Sequence, residues 1–379
     1  MLLVITSALV FAQNTKIDSL EALIKIAKND TTKVNHINAL GKEYLFVNGD
    51  FDKCISLSNE ALKLAQQLKF VKGIAQSYAK IGGANIYKGN YNDGLKYSNL
   101  ALTQYEIIND KKGISNSYNN IAAVYLSQHK YDEALKKFLN VLRITREMNY
   151  KEGMSKAYNN IGVCYQNKEK YDEALLGFTS ALKLEEEANN KTNIANCHNN
   201  IAVIYIRQAN YSAALNSLNK ALQMSTEINN KRLIGQVNFQ LGDLNFKQKK
   251  YKEAQTYYST SASLFKAIMS MDLLISSYAS LVEADSALGN YKDAFAHYKL
   301  RKIYEDSLAN EGDIINDKSI LITKYENQKI VLKTKLEDIN QELISTKESA
   351  KNKMNTLYAI LAIVACALVF MIYTQFKNN

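Results

Sequence analysis

Lys111–Tyr150 reads KKGISNSYNNIAAVYLSQHKYDEALKKFLNVLRITREMNY, and Lys151–Asn190 follows with KEGMSKAYNNIGVCYQNKEKYDEALLGFTSALKLEEEANN. Laid over one another, the blocks match Tyr118 to Tyr158, Asn119-Asn120 to Asn159-Asn160, Ile121 to Ile161, Tyr131 to Tyr171 and Ala134 to Ala174. The same register runs outward in both directions. An aromatic anchor recurs every 40 residues at Phe51, Tyr91, Tyr131, Tyr171, Tyr211, Tyr251 and Tyr291. Three residues after each anchor stands Cys54, Gly94, Ala134, Ala174, Ala214, Ala254 or Ala294. Large residues return seven positions after the later anchors, at Phe138, Phe178, Leu218, Tyr258 and Tyr298, and apolar pairs such as Ala101-Leu102 and Ala181-Leu182 lie ten and eleven after. These offsets trace one face of a helix of period 3.6.

A second helical face precedes each anchor. Ile81, Ile121, Ile161, Ile201 and Leu241 are followed by Gly82, Ala122, Gly162, Ala202 and Gly242, and a mostly aromatic column runs through Tyr78, Tyr118, Tyr158, His198 and Tyr278. Alternation of small and large residues lets two antiparallel helices approach closely. Polar turns such as Lys88-Gly89-Asn90 and Gln208-Ala209-Asn210 join the two helices, and Asn109–Gly113 or Asn149–Gly153 link one pair to the next.

Composition agrees with a helical reading. The 379 residues contain no proline, where average usage of about 5% would place roughly 19. An all-β sandwich and a Pro-rich linker protein are therefore excluded, and 47% hydrophobic residues argue against disorder. The net charge of +10, from 47 Lys+Arg and 37 Asp+Glu, is spread along the repeats and forms no nucleic-acid patch.

These columns resemble the tetratricopeptide repeat family, with Tyr-x-x-Ala opening a second helix and an Ala-Leu pair near its end. The resemblance covers seven repeats of 40 residues, about 280 of the 379. It departs from the shorter family pattern in lacking the Pro turn, for which a longer Asn/Gly/Lys-rich turn stands in. In the first copy Leu40-Gly41 comes one residue early, and in the seventh Arg301-Lys302 replaces the Ala-Leu pair. Resemblance implies an all-α fold: a right-handed superhelical solenoid of helix-turn-helix repeats over 13–310, whose first helices line a concave surface suited to peptides or proteins. Ile17–Lys28 is expected to cap its N-terminal end.

On that surface the resemblance places Asn119, Asn120, Asn159, Asn160, Asn199, Asn200 and Gln240. Each carboxamide offers two donors and an acceptor, so the ladder is a candidate clamp for a peptide main chain. Alternatively the second Asn of each pair bonds the neighbouring repeat or faces water. No enzymatic activity, metal or cofactor is expected. Cys54, Cys164, Cys197 and Cys366 form no C-x-x-C pattern, and His36, His129, His198 and His297 form no H-E-x-x-H pattern.

The two ends carry further expectations. Residues 1–12, MLLVITSALVFA, resemble a secretory signal without its positive n-region. Residues 311–355 place Ile315, Ile322, Tyr325, Leu332, Leu336, Ile339 and Leu343 at heptad-like spacings, predicting a coiled-coil stalk and a homodimer through it. Residues 356–374, around LYAILAIVACALVFMIY, predict one transmembrane helix, with 375–379 as a short tail. This order is similar to the sensory half of bacterial membrane histidine kinases and helix-turn-helix regulators, without their output domain.

The implied function is a membrane-anchored interaction module at the cell membrane, single-pass, with an extracytoplasmic signal-input solenoid taking a protein or peptide ligand. The alternative is a tail-anchored cytoplasmic scaffold recruiting clients to the membrane.

Overall fold

The computed structural model describes residues 16–308, apart from the side chains of residues 47 and 48. The chain divides into two units, Met1–Arg301 and Lys302–Asn379. Every regular element described is helical. We number them α1 (16–26), α2 (Thr31–Glu43), α3 (Phe51–Gln67), α4 (Val71–Tyr87), α5 (Tyr91–Ile107), α6 (Lys111–Ser127), α7 (Tyr131–Glu147) and α8 (Lys151–Asn167). There follow α9 (Tyr171–Glu187), α10 (Lys191–Arg207), α11 (Tyr211–Glu227), α12 (Lys231–Lys247), α13 (Tyr251–Ala267), α14 (Met271–Ala287) and α15 (291–308). Of the second unit, residues 302–308 are described, and they are helical.

Each helix from α3 to α14 has 17 residues and ends in the same stop. The residue two past the helix takes positive φ, from Lys69 through Gly89, Asn109 and His129 to Gly289. It lets the next N–H turn back: Asn90 N–H donates to Asn85 O at 2.8 Å while Gly89 N–H reaches Ile86 O at 3.0 Å. This six-to-one and five-to-two pairing satisfies carbonyls that a helix end leaves free. A left-handed residue favours Gly or Asn, and Asn109, Asn149, Asn189 and Asn229 meet that preference. The next helix then begins on an aspartate or asparagine cap in several copies. Asp50, Asp110, Asn190, Asn210 and Asn230 accept a backbone N–H three residues on.

Packing follows the residue columns. The first and second helices of a pair lie together, as in α4 with α5 or α8 with α9, and first helices touch from pair to pair, as in α4 with α6 and α10 with α12. Cys54, Ala134, Ala174, Ala214 and Ala254, three residues after their anchors, are wholly buried. At Gly177 a methyl group would lie 2.9 Å from the Cα of Gly162 and the carbonyl oxygen of Tyr158, so α9 lies directly on the α8 backbone. Phe178 and Phe265 fill the core between pairs. The early Gly41 has a structural reason: Tyr44–Asn48 forms a π turn that takes up an extra residue before Gly49 closes the helix. Gly41 thereby faces Ser58 and Cys54, as Gly82 faces Ser98 and Gly94.

Exposed ion pairs tie the helix ends. Lys111, Lys151 and Lys191, each opening a first helix, bond Glu147, Glu187 and Glu227, each closing a second helix, at 3.0, 2.8 and 2.8 Å. Lys88–Asp52 and Lys168–Asp132 join one pair to the next.

Two expectations need correction. Among the described residues no helix is long and apolar enough to cross a membrane. The 17-residue helices reach about 25 Å, and each keeps a polar face. The fold is an all-α repeat solenoid, without a separate coiled-coil stalk and without a transmembrane helix among the described residues. The single-pass membrane localisation drawn from that span therefore does not stand. The signal at 1–12, the stalk at 311–355 and the span at 356–374 all lie outside the described residues.

Candidate functional site

The predicted asparagines lie in the middle of first helices: Asn119 and Asn120 on α6, Asn159 and Asn160 on α8, Asn199 and Asn200 on α10, with Gln240 on α12. Residues three and four apart share a helix face, so Ala123 with Asn119 and Asn120, and Ser155 and Lys156 with Asn159 and Asn160, turn the same way. Their faces, with part of α7, α9 and α10, enclose a groove of about 580 Å³. Five of the seven candidates line it: Asn119, Asn120, Asn159, Asn160 and Asn200. Asn199 and Gln240 are not part of its wall.

The bond to the neighbouring repeat occurs within the ladder at one step. Asn200 Nδ2 donates to Asn159 Oδ1 at 2.9 Å, so one step bonds the neighbouring repeat. Asn119 Oδ1 and Asn199 Oδ1 are buried and accept no hydrogen bond. The α6–α8 step thus leaves open the acceptor that the α8–α10 step fills.

Charged residues that the columns gave no reason to choose shape the groove. Glu185, in the last turn of α9, is only 4% exposed. Ser155 Oγ donates to its Oε1 at 2.5 Å, and both residues line the groove. Lys156 is held by Glu152 at 2.5 Å, a bond that raises its pKa. Burial, with Glu185 and Glu186 adding, pushes the Cys197 thiol up to about 12. Cys197 is therefore an unreactive packing residue, and Cys54 and Cys164 are likewise free and buried. One repeat before Asn120, the same position holds Lys80 on α4. Burial lowers its pKa, and Lys42 adds to the effect. Among the described residues Lys80 has no carboxylate partner.

On α12, Asp243 accepts from the Tyr258 hydroxyl at 2.7 Å, and burial raises its pKa against the pull of that bond and of Arg207 and Lys247. On α14, wholly buried Asp285 lies 2.6 Å from His297 Nδ1. His198 fills the aromatic column, and burial lowers its pKa. Among the described residues no group of three or more His, Cys, Asp or Glu is placed to hold a metal ion.

Lys80 breaks a column whose other members, Leu40, Asn120, Asn160, Asn200, Gln240 and Ser280, are neutral, whereas Glu185 and Asp243 break theirs only among the middle repeats, since Glu305 and the pair Glu43 and Glu283 stand in the same columns at the end repeats. That break was the available signal, but it gains meaning only once the column is known to face the groove or the interior.

Comparison with known proteins follows the geometry. The tetratricopeptide repeat profile matches residues 73–147 and 153–227, and a second tetratricopeptide repeat profile matches 235–267. No curated protein matches the sequence. In fold, the chain is similar to the apo form of the quorum sensor NprR from B. thuringiensis, with 18% identity, a TM-score of 0.64, and coverage of 80% of this chain and 84% of that one. The apo form of RapI has 17% identity and a TM-score of 0.61, over 73% of this chain and 99% of that one. A Rap protein complexed with Competence and Sporulation Factor has 15% identity and a TM-score of 0.60, over 78% and 80%. Over residues 73–147, 153–227 and 235–267, this chain is built of tetratricopeptide repeats.

Proposed function

We propose that the chain is a peptide-binding module whose groove between α6, α8 and α10 holds the main chain of an extended peptide. The observation that carries this is Asn119, which lines the groove and whose buried Oδ1 has no hydrogen-bond partner among the described residues, so that a turn of its carboxamide presents an open acceptor to the groove. Buried polar groups are nearly always paired. A peptide N–H supplies the missing donor, while Asn120 and Asn160 add donors for peptide carbonyls. Adjacent helices pack about 8–10 Å apart and extended chain rises about 3.3 Å per residue, so three first helices span roughly five or six residues.

Fold relatives support this reading: one was solved with Competence and Sporulation Factor, and another is a quorum sensor. A signal-input role for the groove belongs to the same proposal. The test uses a pool of acetylated, amidated hexapeptides incubated with the full chain and read by mass spectrometry after capture. The chain retains a subset of the pool, and Asn119→Ala and Asn160→Ala each lower retention about tenfold, the worth of one or two hydrogen bonds, without moving the unfolding midpoint. Equal retention by both variants overturns the proposal.

A further inference from the structure

We propose that Glu185 makes this groove selective for peptides carrying a lysine or arginine side chain, whose cationic head it receives. The inference rests on the peptide-binding reading and assigns that site its charge preference.

The pairing of carboxylates is inverted at Glu185. Asp132, Glu147, Glu187 and Glu227 keep between 38% and 67% of their side-chain surface in water, and each has a lysine partner. Glu185 keeps 4% and has none among the described residues. Water screens an exposed carboxylate, whereas a buried one depends on its neighbours. Among the described residues, the one hydrogen bond to the Glu185 carboxylate is from Ser155, at Oε1. Lys156 is the nearby cation, yet it turns along its own helix to Glu152 at 2.5 Å. Glu185 attracts Lys156 without an ion pair to it, so this buried carboxylate facing an open groove still lacks a cation in direct contact.

The surroundings fit a long cationic side chain. Ala123, Leu126 and Phe138 give the groove apolar wall for a methylene stem, and Asn193 and Asn196 add carboxamide oxygens near its polar end. A lysine or arginine side chain buries its stem and delivers its charge at the tip. At about 580 Å³ the groove has room for such a side chain beside the main chain. In the same column Ala65, Tyr105, Thr145, Ser225 and Phe265 carry no charge, and Glu305, at the last repeat, is not among the residues lining this groove.

Glu185→Gln is the test, with Glu186→Gln as control. Glutamine keeps the acceptor for Ser155 and removes the charge. Glu186 is the exposed neighbour, so its variant makes the same change in net charge outside the groove. In the hexapeptide pool, with one position scanned through all side chains, the unaltered chain and Glu186→Gln retain lysine or arginine members about tenfold over their leucine and glutamate counterparts, as expected for charge-assisted hydrogen bonds. Glu185→Gln retains the same backbone-bound peptides with that preference gone. If the preference survives in Glu185→Gln, or if retained peptides never favour a cation, the charge assignment is wrong while main-chain binding stands. If the unaltered chain retains no peptide, the binding reading fails and this inference fails with it.

Discussion

Asn200 Nδ2 donates to Asn159 Oδ1 at 2.9 Å, joining residues 41 apart in sequence on the facing first helices α10 and α8. One helix position occurs in two states here, since the same side-chain type is bonded between these repeats and left with an open acceptor at Asn119. The bond's contribution is separable from the proposed binding role. In a double-mutant cycle of Asn159→Ala and Asn200→Ala, we expect a coupling of about 0.5–1.5 kcal/mol in urea unfolding. A coupling of zero would show that the pair does not stabilise the α8–α10 contact.

Gly177 and Gly83 should respond to alanine with opposite signs. A methyl at Gly177 meets the α8 backbone at 2.9 Å, at Gly162 and Tyr158, and backbone cannot swing aside. Overpacking of that kind costs about 1–3 kcal/mol. At Gly83 the nearest atoms, on Asn120 and Leu45, stand 3.9 Å away. There alanine relieves the entropic cost of a mid-helix glycine and stabilises by about 0.5–1 kcal/mol. Thermal midpoints of the two variants, one down and one up, check both.

The turns offer a third measurement. Ala209 sits at φ 57°, in the left-handed region, at the position where other repeats use Gly89 or Gly289. A residue with a Cβ is disfavoured there by roughly 1–2 kcal/mol. Ala209→Gly is therefore expected to raise stability by about 1 kcal/mol, less whatever entropy the unfolded chain gains. An unchanged or lower urea midpoint would show that the strain is relieved elsewhere.

Much of this architecture was legible because the repeat samples each column seven times. Anchors such as Tyr131 and Tyr171 open second helices, and Ala134 and Ala174 are buried beneath them, as their spacing implied. The turn residues were visible as Asn/Gly/Lys clusters, although their left-handed backbone was not. The charged residues were hidden for the opposite reason: Lys80 occurs once in its column, and Glu185 and Asp243 share theirs only with acidic residues of the end repeats, so among the middle repeats each is a single departure without periodicity. Nor does sequence distinguish bonded Asn159 from unbonded Asn119, since that depends on which neighbour lies within 3 Å.

Lys80 supplies a fourth prediction. It stands among first-helix residues where its neighbours in the column are Asn120 and Asn160, and burial together with Lys42 disfavours its charged form. No carboxylate among the described residues offsets this. Lys80→Met keeps the aliphatic stem and removes the charge, and should stabilise by about 1 kcal/mol, the low end of such replacements because part of the side chain still meets solvent. A lower thermal midpoint would mean that the ammonium has a stabilising partner.

Asp243 should make stability depend on pH in a direction set by its burial. Burial is the largest influence on the carboxyl and raises its folded pKa above the ordinary value, which is about 3.9. Between that value and the raised one the folded chain binds more protons than the unfolded chain, so this group's contribution falls as pH rises through the window. Above the raised value the ionised carboxylate bears the full cost of burial, despite accepting from Tyr258 at 2.7 Å. Asparagine has nearly the same shape, keeps an acceptor for the Tyr258 hydroxyl and cannot ionise. Asp243→Asn is expected to unfold at higher urea than the unaltered chain at pH 7, with the difference shrinking as pH falls towards 4 and the native carboxyl takes up its proton. If the difference is constant across that range, or if the variant is weaker at pH 7, attraction to Arg207 and Lys247 outweighs burial at this site.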